Sequence, residues 1–283
     1  MPNWCMNSLT VYGDKDELEK FIKDAKGKGE DKGKPFCMQS LLPCPKSLTE
    51  TSASFWNEDQ PKQWRKFVDD PENTVWTEEV YAKKVAQHEE EGILYKKNMK
   101  EHGHASWYDW QIANWGTKWD LDVWHNEGWT FTDYYSPPFF EAHLNWFETQ
   151  GLSDEFDVGK HFHAYSINYN TAWSPNEEFL DTISENYPNL RFRHKFAEGG
   201  CDFAGDNLIR NGVSTMIVTG RYMDWCVHLG FEDLDVWVNE YGYEAPTDVN
   251  TLILSPPQPT ESNNPFLQML LGALQGNITD GEE

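Results

Sequence analysis

Two histidines separated by one residue, His161 and His163, form the clearest candidate metal-binding pair in the sequence. Residues i and i+2 of a β-strand project from the same face, so both imidazoles could bind one ion. Cys201, or Asp202 on a neighbouring strand, could complete the ligand set. Because zinc sites usually show a denser Cys/His pattern, exposed or hydrogen-bonded histidines are the favoured interpretation, and no cofactor is expected.

A second candidate is a possible anion site. Arg191, Arg193 and Lys195 alternate along one predicted strand and would therefore share a face. Aromatic residues are dense over 107–131 and could stack on a nucleotide, although such clusters more often form a core. These two features support one alternative function, the sequestration of a nucleotide signal molecule.

The remaining reactive residues match no familiar catalytic arrangement. The five cysteines lack C-x-x-C spacing, so reduced, buried thiols are expected. Carboxylate pairs such as Asp120 with Asp122 arise by chance in a chain with 47 acidic residues. The sequence contains no phosphate-binding loop, nucleophile elbow or dinucleotide-binding glycine pattern. We therefore predict that the protein is not an enzyme. A metal-dependent enzyme that uses the two histidines is a weaker alternative.

Hydrophobic periodicity predicts the elements that would position these residues. Strict or near-strict alternation predicts strands over 4–12, 36–42, 117–124, 161–172, 190–197, 201–210 and 213–218. Apolar spacing predicts helices over 15–26, 61–69, 77–100 and 138–149, and helix-end signals predict another over 175–187, which Pro188 ends. The last helix would begin with a capping box formed by Ser174 and Glu177. Two β-α-β-like segments, 4–42 and 117–210, indicate an α+β fold, a ferredoxin-like split β-α-β sandwich. Its sheet would be mostly antiparallel, with the helices on one face.

The predicted domain organisation is discontinuous. Residues 1–45 and 107–218 would form the ferredoxin-like core, and 46–106 a helical insertion with a thin apolar face. An acidic aromatic extension would follow at 219–254, then a proline-rich linker at 255–265 and an apolar helix at 266–275. That helix must dock on its own chain or on another copy, because water cannot satisfy its apolar side chains. The residues assigned to oligomerisation are Phe266, Leu267, Met269, Leu270, Leu271 and Leu274.

The charge of the chain is strongly negative and unevenly distributed. It has 47 Asp and Glu against 23 Lys and Arg, a formal net charge of −24. This charge opposes direct binding to nucleic acid and suits a basic protein surface, although solubility alone is the simpler explanation. Eleven acidic residues and no Lys or Arg follow Arg221. The predicted partner-binding acidic face consists of Asp224, Glu232, Asp233, Asp235, Glu240 and Glu244.

Membrane association is not expected from the sequence. No apolar run approaches the roughly 18 residues that a membrane-spanning helix requires. The N-terminal residues lack a basic region followed by an apolar one, so we expect a cytoplasmic protein.

Six short runs carry a resemblance to a known family: Met1–Cys5, Leu9–Val11, Trp107–Trp110, Asn114–Asp120, Thr171–Pro175 and Cys201–Gly205. In this order they resemble the YubB-like family with a ferredoxin-like domain, found in bacteriophages, plasmids and pathogenicity islands. The resemblance covers about 1–42 and 107–216. It implies a ferredoxin-like sandwich and an origin in a mobile element, and it carries no assigned activity.

Three observations lead to one functional expectation: the negative charge, the lack of catalytic motifs and the resemblance to the YubB-like family. The protein would be a non-catalytic, acidic phage protein of the bacterial host cytoplasm that self-associates and binds a host protein. The expected partner is a nucleic-acid-handling anti-phage defence enzyme, inhibited because its basic DNA-binding surface is covered. The anti-phage part of this expectation rests on the association with mobile elements and not on any residue.

Overall fold

The computed structural model describes residues 3–52, 56–73, 75–123, 128–135 and 162–233. All of these residues lie in one unit of the chain, Met1–Val236. The predicted helix over 138–149, the linker and the apolar C-terminal helix lie outside the described residues, and so do His161, Asp235, Glu240 and Glu244.

In the described part of the chain, six strands form one antiparallel sheet in the order β2-β3-β1-β4-β5-β6. The strands are β1 Trp4–Gly13, β2 Thr130–Tyr135, β3 Phe162–Ala172, β4 Arg191–Glu198, β5 Phe203–Arg210 and β6 Val213–Gly220. The helices are α1 Lys15–Ala25, α2 Met38–Leu41, α3 Lys46–Thr49, α4 Gln60–Val68, α5 Glu78–His102, α6 Trp107–Trp115, α7 Glu177–Asn186 and α8 Tyr222–Trp225. A short 3₁₀ helix spans Gly29–Asp31.

The centre of the sheet is a split β-α-β unit. Strands β3 and β4 both pair antiparallel with β1, so they run parallel to each other and α7 connects them across β1. This topology confirms the predicted α+β, ferredoxin-like sandwich with a mostly antiparallel sheet.

One face of the sheet packs against α1 and α7. Alternate residues of β1, such as Leu9 and Val11, are fully buried and belong to the same core cluster as Phe192 of β4 and Phe179 of α7. Phe21 of α1 meets Phe192 edge to face at 5.5 Å between ring centroids. Each such apolar side chain contributes roughly 1.5–3 kcal/mol to folding, so this layer holds the sheet and helices together.

Two predicted strands have a different structure. Residues 36–42 include helix α2, because the Asp120 carboxylate accepts hydrogen bonds from the amides of Met38 and Gln39 at 2.8 and 3.0 Å. Of the predicted strand 117–124, the described residues 117–123 contribute an isolated bridge between Asp122 and Asn170. A short apolar run fits a strand and a buried helical turn equally well, and here a distant carboxylate decides between them.

The start of α7 also differs from the prediction. Asn176 is the N-cap residue, and no capping box forms. The Ser174 hydroxyl donates to the carbonyl of Gly116, and the Glu177 carboxylate accepts from the side-chain amide of Asn207. The Ser174 hydroxyl and the Glu177 carboxylate therefore bind distant residues and do not cap the backbone amides at the start of α7.

The helical insertion predicted over 46–106 contains α3, α4 and α5. Helix α5 begins where the Thr77 hydroxyl accepts from the amide of Val80 at 3.2 Å, and it ends at Gly103 with a φ of 73°. Within the described residues, none of the helices is both long enough and apolar enough to cross a bilayer.

Candidate functional site

Two exposed tryptophans lie at the end of the sheet where β1 begins and β3 ends. Trp4 pairs in register with Ala172, and the amide of Trp173 donates to the carbonyl of Asn3 at 2.9 Å. The two side chains are 42% and 37% exposed. Large aromatic side chains in water are costly for a monomer and are enriched in binding surfaces, so this position is a candidate contact site.

The backbone of Trp173 adds a second indication of function. Its φ is 74°, in the left-handed region that bulky residues rarely adopt. Such a conformation costs about 1–3 kcal/mol and persists where the surroundings hold it. Here the Asn3 carbonyl holds the amide, and the Thr171 hydroxyl donates to the carbonyl of Ser174 at 2.6 Å. These hydrogen bonds hold the backbone that carries the exposed indole.

The turn between β4 and β5 lies beside these tryptophans. The buried Glu198 carboxylate accepts from the amides of Gly200 and Cys201 at 2.8 and 2.5 Å. A Cβ atom at Gly200 would lie 2.1 Å from Nδ2 of Asn3, so the turn packs directly on the start of β1. The Cys201 side chain is exposed, but partial burial and the Glu198 carboxylate raise its pKa, which keeps it a thiol.

Acidic residues lie at the same end of the sheet, in and beyond the β4–β5 turn. Arg221, the last arginine or lysine of the sequence, pairs with Asp202 at 2.7 Å, and this ion pair lowers the pKa of Asp202. The Met223 amide donates to the same carboxylate at 3.4 Å, and its side chain is 42% exposed. Asp224, in α8, is also exposed. We call the surface formed by Trp4, Trp173, Asp202, Met223 and Asp224 the aromatic-acidic surface.

The structure places part of the predicted acidic face at this end of the molecule. Asp224 and Asp233 are exposed, and Glu232 is half-buried and accepts from the Tyr222 hydroxyl at 2.5 Å. Sequence reasoning found these acids but missed Trp4 and Trp173. No pattern in the sequence reveals that an indole stays exposed, because that depends on which chain segments cover it.

The predicted anion-binding residues do share one face of β4, opposite the helices, but their charges are used inside the protein. Arg193 forms a buried ion pair with Asp206. Arg191 donates to the carbonyl of Asn189, and Lys195 donates to the carbonyl of the buried Leu229 at 3.4 Å. Burial and the neighbouring Arg193 lower the pKa of Lys195. These contacts assign the three residues a structural role.

The predicted metal ligands do not come together. His163 pairs with Gly13 at the far end of β1 and stacks on Phe131 at 5.9 Å. Cys201 and Asp202 lie at the opposite end, beside Asn3. The ten residues of β1 span about 30 Å, far beyond the reach of one ion. The proposed ligand set that joins His163 to Cys201 or Asp202 was therefore wrong, because those residues lie on different ends of the sheet.

Within the described residues, a different group could offer three metal ligands: Asp31, Cys37 and Asp120. Asp120 caps α2 and accepts from the Cys37 thiol at 3.1 Å, and Asp31 pairs with Lys34 at 2.6 Å. Burial, together with Asp120, raises the pKa of Cys37 to about 12, so the thiol donates and does not ionise. These groups already satisfy one another, which indicates a helix cap.

A comparison with family models agrees with the fold. Residues 153–233 match the family described as "Ferredoxin-like domain in Api92-like protein". A crystal structure of the protein api92 from Yersinia pseudotuberculosis is similar over 78% of this chain and 98% of its own, with 10% sequence identity and a TM-score of 0.35. No curated protein matches the chain. Residues 153–233 are therefore similar to the ferredoxin-like domain of Api92-like proteins.

Proposed function

We propose that this protein is a non-catalytic binding protein that recognises a basic surface of another protein. The observation that carries the proposal is the aromatic-acidic surface, where two exposed indoles and several acids lie at one end of the sheet and the cation there, Arg221, is already paired with Asp202.

The tryptophans of this surface would supply most of the binding affinity, and its acidic residues would select the partner. Tryptophan is among the residues that contribute most to binding when a partner buries it. Acidic residues around such anchors favour a basic partner and increase the rate of association. The net charge of −24 extends the same attraction over the whole molecule.

A nucleic-acid-binding enzyme fits this chemistry, because its phosphate-binding surface is basic. An acidic protein that covers that surface competes directly with DNA or RNA. An origin in a bacteriophage or plasmid, which the sequence resemblance implies, makes a host defence enzyme of the bacterial cytoplasm the proposed target. Self-association through the apolar segment 266–275 would present several such surfaces together and increase the avidity.

The test begins with capture of partners by the full chain from the heparin-binding fraction of a bacterial lysate. A partner identified by mass spectrometry is then purified, and its binding to labelled DNA is measured as this protein is added. We expect stoichiometric loss of DNA binding that is reversed at high salt.

The variant pair Trp4→Ala and Trp173→Ala should weaken partner binding by more than about 30-fold, in line with the loss of interfacial anchors. Phe67→Ala is the matched control, because Phe67 is 51% exposed but lies in α4 of the insertion. Equal effects of the tryptophan variants and the control would contradict the proposal. So would partners that keep their DNA binding when saturated with this protein.

A further inference from the structure

The helical insertion contains a cleft of about 360 Å³ that is separate from the aromatic-acidic surface. Trp56 and Trp64 form aromatic walls, and α5 contributes Lys84, Gln87, His88 and Glu91. These four positions lie at i, i+3, i+4 and i+7, so they occupy one face of the helix. Binding clefts for small molecules begin at about this volume and combine aromatic walls with a few polar groups.

His88 provides a polar group at the wall of the cleft that the described residues do not satisfy. It is 6% exposed, stacks on Trp56 at 5.1 Å, and meets the edge of Trp64 at 5.3 Å. Its Nε2 atom has no hydrogen-bond partner within the described residues. An unpaired buried nitrogen costs about 1–3 kcal/mol, and a polar ligand in the cleft would remove that cost.

Lys84 places a positive charge at the same cleft. Its ammonium lies 5.6 Å from the ring centroids of both Trp64 and Trp76. Among the described residues, no carboxylate lies within ion-pair distance of this ammonium. In a chain with twice as many acids as bases, an ammonium held against indoles at a cleft is suited to an incoming anion.

Gln87 and Glu91 form the polar edge of the cleft. The Gln87 amide donates to the Glu91 carboxylate at 3.0 Å. The remaining carboxylate and amide oxygens accept hydrogen bonds, which suits an amino group on a ring. The cleft therefore combines aromatic walls, an acceptor edge and a cation.

We propose that this cleft binds a mononucleotide that carries an amino-substituted base, with the base against the tryptophans and the phosphate at Lys84. Its volume fits one nucleotide, and the net charge of the chain opposes a polynucleotide. This site is distinct from the aromatic-acidic surface and does not depend on the proposed function.

Isothermal titration calorimetry of the full chain with AMP tests the proposal, with adenosine and ribose 5-phosphate as partial ligands. We expect AMP to bind at least about tenfold more tightly than either partial ligand, because each lacks one half of the recognition. Lys84→Gln should weaken AMP about tenfold and leave adenosine unchanged, whereas Trp64→Leu should weaken both.

Lys97→Gln is the matched control, because Lys97 is an exposed lysine of α5 that does not line the cleft. Circular dichroism of each variant is used to check that the variant is folded. The absence of AMP binding to the folded wild-type protein at millimolar concentration would overturn the proposal. Equal affinities of the Lys84→Gln and Lys97→Gln variants for AMP would overturn it as well.

Discussion

Arg193 of β4 and Asp206 of β5 form a bidentate ion pair on the sheet face opposite α1 and α7. The Arg193 Nη2 atom donates to Asp206 Oδ2 at 2.7 Å, and its Nε atom lies 3.1 Å from Oδ1. The two side chains are 9% and 0% exposed. In a buried pair of this kind, the well-aligned hydrogen bonds offset the cost of removing both charges from water. Removal of one member leaves the other charge in a poorly solvated position.

Asp206→Ala should therefore destabilise the protein by about 3–5 kcal/mol, because it removes the carboxylate and leaves the buried guanidinium behind. Urea unfolding followed by circular dichroism measures the change. The double variant Arg193→Met with Asp206→Leu should recover most of that loss, because it removes both charges and keeps the volume. A double variant as unstable as Asp206→Ala would show that packing, and not the lone charge, is responsible.

The buried Glu177 should make stability fall as pH rises. Burial, followed by the charge of Glu178, raises the pKa of Glu177 to about 7 from its ordinary value of 4.5. The folded state therefore holds more protons than the unfolded state between these values, so the free energy of unfolding decreases as pH rises from about 4.5 to 7.

Glu177→Gln should remove the contribution of Glu177 to this dependence and stabilise the protein by up to about 3 kcal/mol at pH 8, with little difference near pH 4. Burial also raises the pKa of Glu178 and, to about 6, that of Asp181, and these two groups keep their own contributions in the variant. Unfolding at both pH values gives the comparison, and Glu89→Gln on the exposed face of α5 is the control. Burial also lowers the pKa of His194 to about 3, an effect shared by the wild-type protein and both variants. A Glu177→Gln variant with the same stability difference at both pH values would contradict this account.

Alanine substitutions at two glycines with similar φ angles distinguish the stability cost of backbone strain from the cost of steric overlap. Gly212, in the β5–β6 turn, has a φ of 77°, and a Cβ atom there would lie 2.5 Å from Oε1 of Glu185. Gly103, after α5, has a φ of 73° and open space around it. Gly103→Ala should cost about 1 kcal/mol from backbone strain, and Gly212→Ala should cost more. Equal losses in thermal unfolding would show that Glu185 moves aside freely.

The proposed self-association predicts a change in oligomeric state when the apolar segment 266–275 carries charge. Leu267→Glu together with Leu271→Glu should shift the full chain from oligomer to monomer in light scattering coupled to size exclusion. Glu261→Gln, upstream of that segment, is the charge-change control. A wild-type protein that is already monomeric at tens of micromolar would argue against self-association.

Local sequence patterns predicted most of the sheet and its main helices. Alternation located β1 and β3, the 3.6-residue period located α1, the residues at the helix ends located α7, and Asn211-Gly212 located the β5–β6 turn. These predictions succeed because each element buries one face, and the spacing of its apolar residues encodes which face that is. The sequence likewise determined the large negative charge and the absence of Lys and Arg after Arg221.

Tertiary structure decided the features that join distant parts of the chain. Asp120 turns residues 38–41 into a helix, Asp206 neutralises Arg193, and the length of β1 separates His163 from Cys201. The exposure of Trp173 and the cleft around His88 likewise depend on which distant segments of the chain lie next to them. Hydrogen bonds, ion pairs and burial depend on distance in space, and a linear pattern records distance only along the chain.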